Sequence, residues 1–234
     1  MNGQINRLKT LISNNNFSFD NVYTFLSGSK SNGKSYILYR YANSLSKLKN
    51  VLIVETNNNK LNYITDIEII DSFNKFDRFR YPKKGNTFLF NVSEDNLNNF
   101  EYFEKILHKI NNEFAGFFDL ILINTISGVD KIFSPYFRKS QRCFLISKTD
   151  PISIVDIYAV IKILINNNYL NDIQVIFNKV DSEVEFIEAS DNLRKAVNHF
   201  LKREINIVCS IPTHQIGEEI VTNFVENFSL LPSY

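Results

Sequence analysis

Phe25-Leu26-Ser27-Gly28-Ser29-Lys30-Ser31-Asn32-Gly33-Lys34-Ser35 is the stretch from which the rest of the chain is read. From Gly28 onward it fits G-x-x-x-x-G-K-[ST], in which two glycines let the backbone close round an anion so that successive N–H groups point inward. In that pattern Gly28, Ser29, Lys30, Ser31, Asn32 and Gly33 form the cradle. Lys34 reaches the β- and γ-phosphates, and Ser35 holds Mg²⁺. The same letters also describe an ordinary Gly/Ser/Asn-rich turn, so the flanks carry the choice. Residues 22–26 are β-branched and aromatic and stop at a glycine turn, as a strand would. Ile37, Leu38, Tyr41, Ala42 and Leu45 then recur at helical spacing, which lands a helix N-terminus and its dipole on the loop.

Outward from this stretch, further strands are expected at residues 51–55, 87–92, 120–123, 142–146, 173–177 and 205–209. Helical patterns lie between most of them: Phe100/Phe103/Ile106/Leu107/Ile110, Ile154/Ile157/Tyr158/Ile161/Leu164/Ile165 and Leu193/Ala196/Val197/Phe200/Leu201. Such alternation predicts an α/β fold, a mostly parallel twisted sheet with helices on both faces. A chain of 234 residues fits one domain of this kind and buries a sizeable core without staples. The expected division is an N-terminal amphipathic helix and linker over 1–16, with Ile5, Leu8, Leu11 and Ile12 on one side, followed by a P-loop NTPase-like domain over 17–234.

Composition narrows the partners. A formal net charge of +1 makes no demand for nucleic acid or an anionic membrane, and neither is expected as a partner. Cys143 and Cys209 lie far apart in apolar runs and read as buried, reduced thiols. With no signal peptide and no apolar run of spanning length, the expected location is the cytoplasm. Asparagine runs at 14–16, 57–59 and 166–168 read as turn chemistry. His108, His199 and His214 show no metal-ligand spacing.

Ligands of parallel sheets bind beyond the carboxyl ends of strands, so the residues that follow each apolar run matter most. Residues 51–55 end in Glu55-Thr56-Asn57, and 120–123 are followed by Asn124-Thr125 and then Gly128. A nucleotide hydrolase usually has an aspartate where Asn124 stands; a neutral amide accepts a hydrogen bond there but brings no charge to a metal ion. After 173–177 comes Asn178-Lys179-Val180-Asp181, which fits the N-K-x-D guanine reader of GTPases and equally a polar turn between strand and helix. Ser210-Ile211-Pro212 offers backbone contacts to a base.

Taken together these residues resemble the MinD/ParA group of P-loop ATPases, and within it the FlhG-type regulators of flagellar number and placement. Asn124-Thr125-Ile126-Ser127-Gly128 is similar to that group's D-T-G-A-G turn, and residues 151–162, PISIVDIYAVIK, to an FlhG-type P-x-S-x-x-D-A-Y-x-x-I-K segment. Gly3-Gln4-Ile5-Asn6-Arg7-Leu8-Lys9 resembles the FlhG segment that stimulates the flagellar GTPase FlhF. The resemblance implies ATP and Mg²⁺ as ligands, with GTP as the alternative. It also implies base contacts from Asn178 and Pro212, a homodimer, and FlhF-like or other flagellar assembly proteins as partners. Gln4, Leu8, Lys9, Asp156 and Tyr158 are the candidate partner contacts, and partners would bring the chain to the cell pole or membrane.

The departures from the group bear on catalysis. Its lysine directly after the first glycine is replaced by Ser29, with Lys30 one place late; its switch D-x-D is Glu55-Thr56-Asn57; its Mg²⁺-supporting aspartate is Asn124. Losing one preorganised group commonly costs ~10²–10³ in rate. Glu55, Asn57 and Asn124 are therefore degenerate catalytic positions, and weak or absent hydrolysis is expected, the alternatives being an active ATPase or GTPase switch or a nucleotide-free scaffold. At the C-terminus, Ile216, Ile220, Val221, Phe224 and Phe228 form an apolar stripe beside Glu218, Glu219 and Glu226, and no Lys or Arg follows Arg203. Anionic lipid would repel such a helix, so no autonomous membrane binding is expected.

Overall fold

Val51–Glu55 is buried at all five positions, which a strand achieves only when both faces of its sheet are covered. The computed structural model describes residues 19–56, 68–70, 87–92, 100–113, 117–131, 135–169 and 171–213. Its strands are β1 (Phe19–Leu26), β2 (Val51–Glu55), β3 (Glu68–Ile70), β4 (Thr87–Asn91), β5 (Leu120–Asn124), β6 (Ser140–Ser147), β7 (Asp172–Val180) and β8 (Asn206–Pro212). Between them lie α1 (Lys34–Leu45), α2 (Phe100–Glu113), the single turn α3 (Pro135–Arg138), α4 (Pro151–Asn166) and α5 (Glu183–Ala196).

The eight strands form one sheet in the order β3-β4-β2-β5-β1-β6-β7-β8, and every pairing is parallel. From β1 the chain runs outward first through β2 to one edge and later through β6, β7 and β8 to the other, so the strand order reverses around β1. Beyond the carboxyl end of such a strand a crevice opens between the flanking connections. Two apolar layers fill the space between sheet and helices. Phe25, Phe144, Ile146 and Ile176 meet α1 through Ile37, Leu38 and Tyr41. On the other face Leu26, Leu145, Val175 and Phe177 meet α4 and α5 through Ile157, Ile161, Leu164 and Leu193, while Phe103, Ile106 and Ile110 of α2 pack on Leu52, Phe88 and Ile121. Full burial of each such side chain contributes about 1.5–3 kcal/mol.

The predicted parallel sheet agrees with this architecture, and the strands extend past the expected bounds where polar residues continue the ladder, as in Asn178–Val180 of β7. The three-residue strand β3 was not foreseen, being too short to show alternation. One expectation is corrected. The apolar spacing places Phe200 on a helical stripe with Leu193 and Val197, but it is 69% exposed. The helix widens into a π-helical turn over Val197–Leu201 and ends at Lys202 in the left-handed region, φ +52°, which rotates Phe200 off the stripe. The expected N-terminal helix, with Gln4, Leu8 and Lys9, lies outside the described residues, as do Asn57 and the C-terminal stripe from Ile216 to Phe228. No helix among the described residues is long and apolar enough to cross a membrane.

Candidate functional site

The loop 27–35 leaves β1 at the centre of the sheet and ends in the first turn of α1. Its shape is set by its own side chains. Ser27 Oγ donates to Ser29 O (2.8 Å), Ser29 Oγ to Asn32 Oδ1 (3.0 Å), and the buried Asn32 Nδ2 to Ile146 O of β6 (3.2 Å). Gly33 starts α1 in the left-handed region, φ +79°, and a Cβ there would strike the Asn178 amide. Gly28 is required for space: a Cβ would stand 2.5 Å from Asp156 Cβ and 2.9 Å from Asp156 C, because α4 lies against the loop at that point. Gly128 N donates to Ser27 O (3.0 Å) and Thr125 Oγ1 to Phe25 O (2.8 Å), tying the start of the loop to the segment after β5.

At the inner end of the loop, six polar groups share one largely buried knot. Lys34, 2% exposed, donates through Nζ to Asn124 Oδ1 and to Thr125 O. Burial pulls its ammonium down to about 8, against the pull of the nearby Glu55 charge. Glu55 and Asn124 are register partners at the ends of neighbouring strands, and Asn124 Nδ2 donates to Glu55 Oε2 (2.6 Å). Tyr39 OH donates to the same carboxylate oxygen (2.7 Å); burial first, and the Glu55 charge second, push this phenol well above its ordinary range. Asn124 Nδ2 also donates to Ser35 Oγ (3.0 Å). The negative charge absent at position 124 thus stands one strand over, on a 2% exposed carboxylate that reaches Ser35 through the Asn124 amide.

The outer lip is cationic. Lys30 is exposed, Lys148 Nζ donates to Ser31 Oγ (3.2 Å) and Lys179 Nζ to Ser31 O (3.2 Å). Asn178 turns its amide inward and donates to Asn32 O (2.8 Å). Pro212 closes β8 opposite Val180. Asp156 is half-buried against Gly28, and Tyr158 packs edge-on against Phe200 with ring centroids 6.4 Å apart. Tyr39, Lys148 and Thr213 stand outside every motif of the sequence, whereas Lys179 belongs to the Asn178–Asp181 quartet. Tyr39 has a legible signal, since it follows Ser35 by four residues and so shares its helix face; Lys148 reaches the loop from beyond β6, and Thr213 bonds Asp181 after β7.

No family model matches the sequence, and no curated protein is similar to it. Solved structures do match. The MinD of the Aquifex aeolicus MinC:MinD cell division complex superposes with a TM-score of 0.60 over 88% of this chain and 86% of that one, at 21% identity. A ParA-family ATPase from Chlorobium tepidum gives 0.63 over 92% and 95%, at 15% identity. The chain has the MinD/ParA fold. A Cyanothece McdA in complex with ATP matches at 0.62 over 93% of this chain and 99% of that one, at 14% identity. The MinD/ParA fold therefore runs through nearly the whole chain with few identical side chains kept, so what this site does rests on its own residues.

Proposed function

We propose that the loop 27–35 binds a nucleoside triphosphate with Mg²⁺, that hydrolysis is weak or absent, and that the chain regulates protein partners through the bound state. The observation that carries this reading is Lys34: a buried ammonium at a glycine-shaped loop, held by two neutral oxygens that a phosphate would replace. The residues fit the ligand. Gly28 and Gly33 let the loop pack against Asp156 and the Asn178 amide where a Cβ could not go, Ser35 offers its hydroxyl to the metal, and Glu55 supplies anionic charge behind Asn124. Ser35 would hold Mg²⁺, which would neutralise phosphate charge, and Asn124 would offer it no carboxylate. The McdA structure, which holds ATP on this fold, supports the same reading. The resemblance to FlhG-type proteins extends it to flagellar placement or number, through an FlhF-like GTPase and a homodimer.

Titration of a fluorescent triphosphate into the full chain tests the binding. Lys34→Ala should abolish it, and saturating ligand at ~100 times its dissociation constant should stabilise the wild type by about 2.7 kcal/mol. Absence of any shift at millimolar nucleotide would leave only a scaffold. Glu55 favours one second reading, an active switch in which this carboxylate takes over lost acidic roles. Steady phosphate release that vanishes in both Lys34→Ala and Glu55→Gln would establish it in place of weak hydrolysis. Pull-down with the flagellar GTPase, repeated after deletion of residues 1–12, tests the partner; an unchanged complex would remove the N-terminal segment from the account.

A further inference from the structure

The π-helical turn after α5 holds Phe200 against α4. Its ring, 69% exposed, meets Tyr158 edge-on with centroids 6.4 Å apart and His199 edge-on at 4.7 Å. Tyr158 and Ile165 lie two turns apart on one face of α4, and the chain leaving the π-turn follows that face. At Ile165 a crevice of about 490 Å³ opens beside the amino ends of β7 and β8, with Ile165, Ile173 and Ile205 as apolar wall and Arg203 among its lining. All strands are parallel, so this is the end of the sheet opposite the loop 27–35, which leaves the carboxyl end of β1. The charge beside the groove is one-sided. Lys162 stands one turn beyond Tyr158, and Lys202 and Arg203 follow the π-turn; all three are exposed, and none is ion-paired among the described residues. Exposed apolar surface bordered by uncompensated charge of one sign suits a partner of the opposite sign.

We infer that the groove between α4 and the π-turn docks a short acidic segment of a partner protein. One bulky apolar side chain of that segment enters the crevice beside Phe200, and its carboxylates meet Lys162, Lys202 and Arg203. Two acidic residues decide between a peptide and other anions. Glu204 and Asp172 line the same crevice, and Asp172 is already held by Arg142 (2.7 Å). A carboxylate accepts hydrogen bonds, which main-chain N–H groups can give and a phosphodiester cannot. A peptide therefore fits where a nucleic-acid backbone or an anionic lipid headgroup would meet like charge. Phe200 and Arg203 are the expected anchors, an aromatic ring and a guanidinium at the centre of the contact.

Selection of random linear peptides displayed on phage against the immobilised full chain, without nucleotide, tests the docking. Enriched peptides should carry several Asp or Glu around one aromatic or large aliphatic residue. A fluorescein-labelled copy of the strongest should lose about 10- to 30-fold in affinity in Phe200→Ala, and as much in the pair Lys202→Glu with Arg203→Glu. Added salt should weaken its binding to the wild type. Since Phe200 is mostly exposed, Phe200→Ala should keep the wild-type melting temperature, which separates docking from folding. No enrichment, enrichment of peptides without acidic residues, or affinity unchanged in either variant overturns the inference. Duplex DNA or phosphatidylglycerol vesicles that bind the wild type and not the charge-reversed pair overturn it as well, because the patch is then a phosphate surface.

Discussion

Lys34 is a cation taken almost wholly out of water, and its protonation governs what the loop can hold. Burial lowers it from 10.5 to about 8, a difference on the order of 3 kcal/mol between its two protonation states. A bound triphosphate favours the charged form, so binding raises the value again and takes up a proton above pH 8. Triphosphate affinity should accordingly hold steady below pH 8 and fall by up to tenfold per unit above it. Calorimetry in buffers of different ionisation enthalpy would show the proton uptake, and affinity flat to pH 9.5 would contradict it. Asn124 sharpens the point. An amide can satisfy Lys34 and Ser35 without a second buried charge, and its other hand rests on Glu55. The motif around Lys34 and the neutral residue at 124 were legible as letters. The charge relocated to Glu55, and the bond Tyr39 makes to it, were not, because they depend on which strand lies beside which.

Helix α4 shows how an element carries the site. Asp150 caps it, accepting from Ser153 N (3.0 Å) and Ser153 Oγ (2.7 Å), and Pro151 opens the first turn without needing a donor. Slight burial works against the Asp150 charge, but the Ser153 bonds and Lys148 hold its carboxyl below the ordinary range. The cap is thus present above that range and lost as pH falls through it. Asp150→Ala should destabilise the protein by about 1 kcal/mol in urea at pH 7, and by less as the pH approaches 3. Since α4 seats Asp156 on Gly28, the same variant should also weaken triphosphate binding slightly; full affinity with lost stability would mean that the loop does not depend on the helix start. The apolar spacing of α4 is visible in the sequence. The π-turn that turns Phe200 outward is not, because residues 193–201 keep a regular helical pattern through it.

For the whole molecule, the titrating groups in the core set the alkaline limit. Burial raises Tyr39, Tyr41 and Tyr169 and pushes Cys143 and Cys209 up to about 12, whereas Lys34 alone among these moves down. The five raised groups stay protonated in the fold while the unfolded chain releases its protons, from about pH 9 for the thiols and 10 for the phenols. The folded state then binds more protons, so stability falls with pH in that window. Lys34 acts the other way between about 8 and 10.5, since there the unfolded chain holds the extra proton. Five groups outweigh one, and the melting temperature should drop steadily above pH 9; a rise would show that Lys34 dominates. The alternation of apolar runs and helical spacings by itself determined a parallel α/β sheet, and the glycine-lysine spacing determined where a phosphate loop could stand, because periodicity and glycine freedom are local properties. Only the tertiary structure decided that Glu55 backs Asn124, that Asp156 leaves Gly28 no room for a Cβ, and that Thr213 pins Asp181. Each of those joins residues dozens of positions apart, and strand order, which local pattern does not encode, is what brings them within reach.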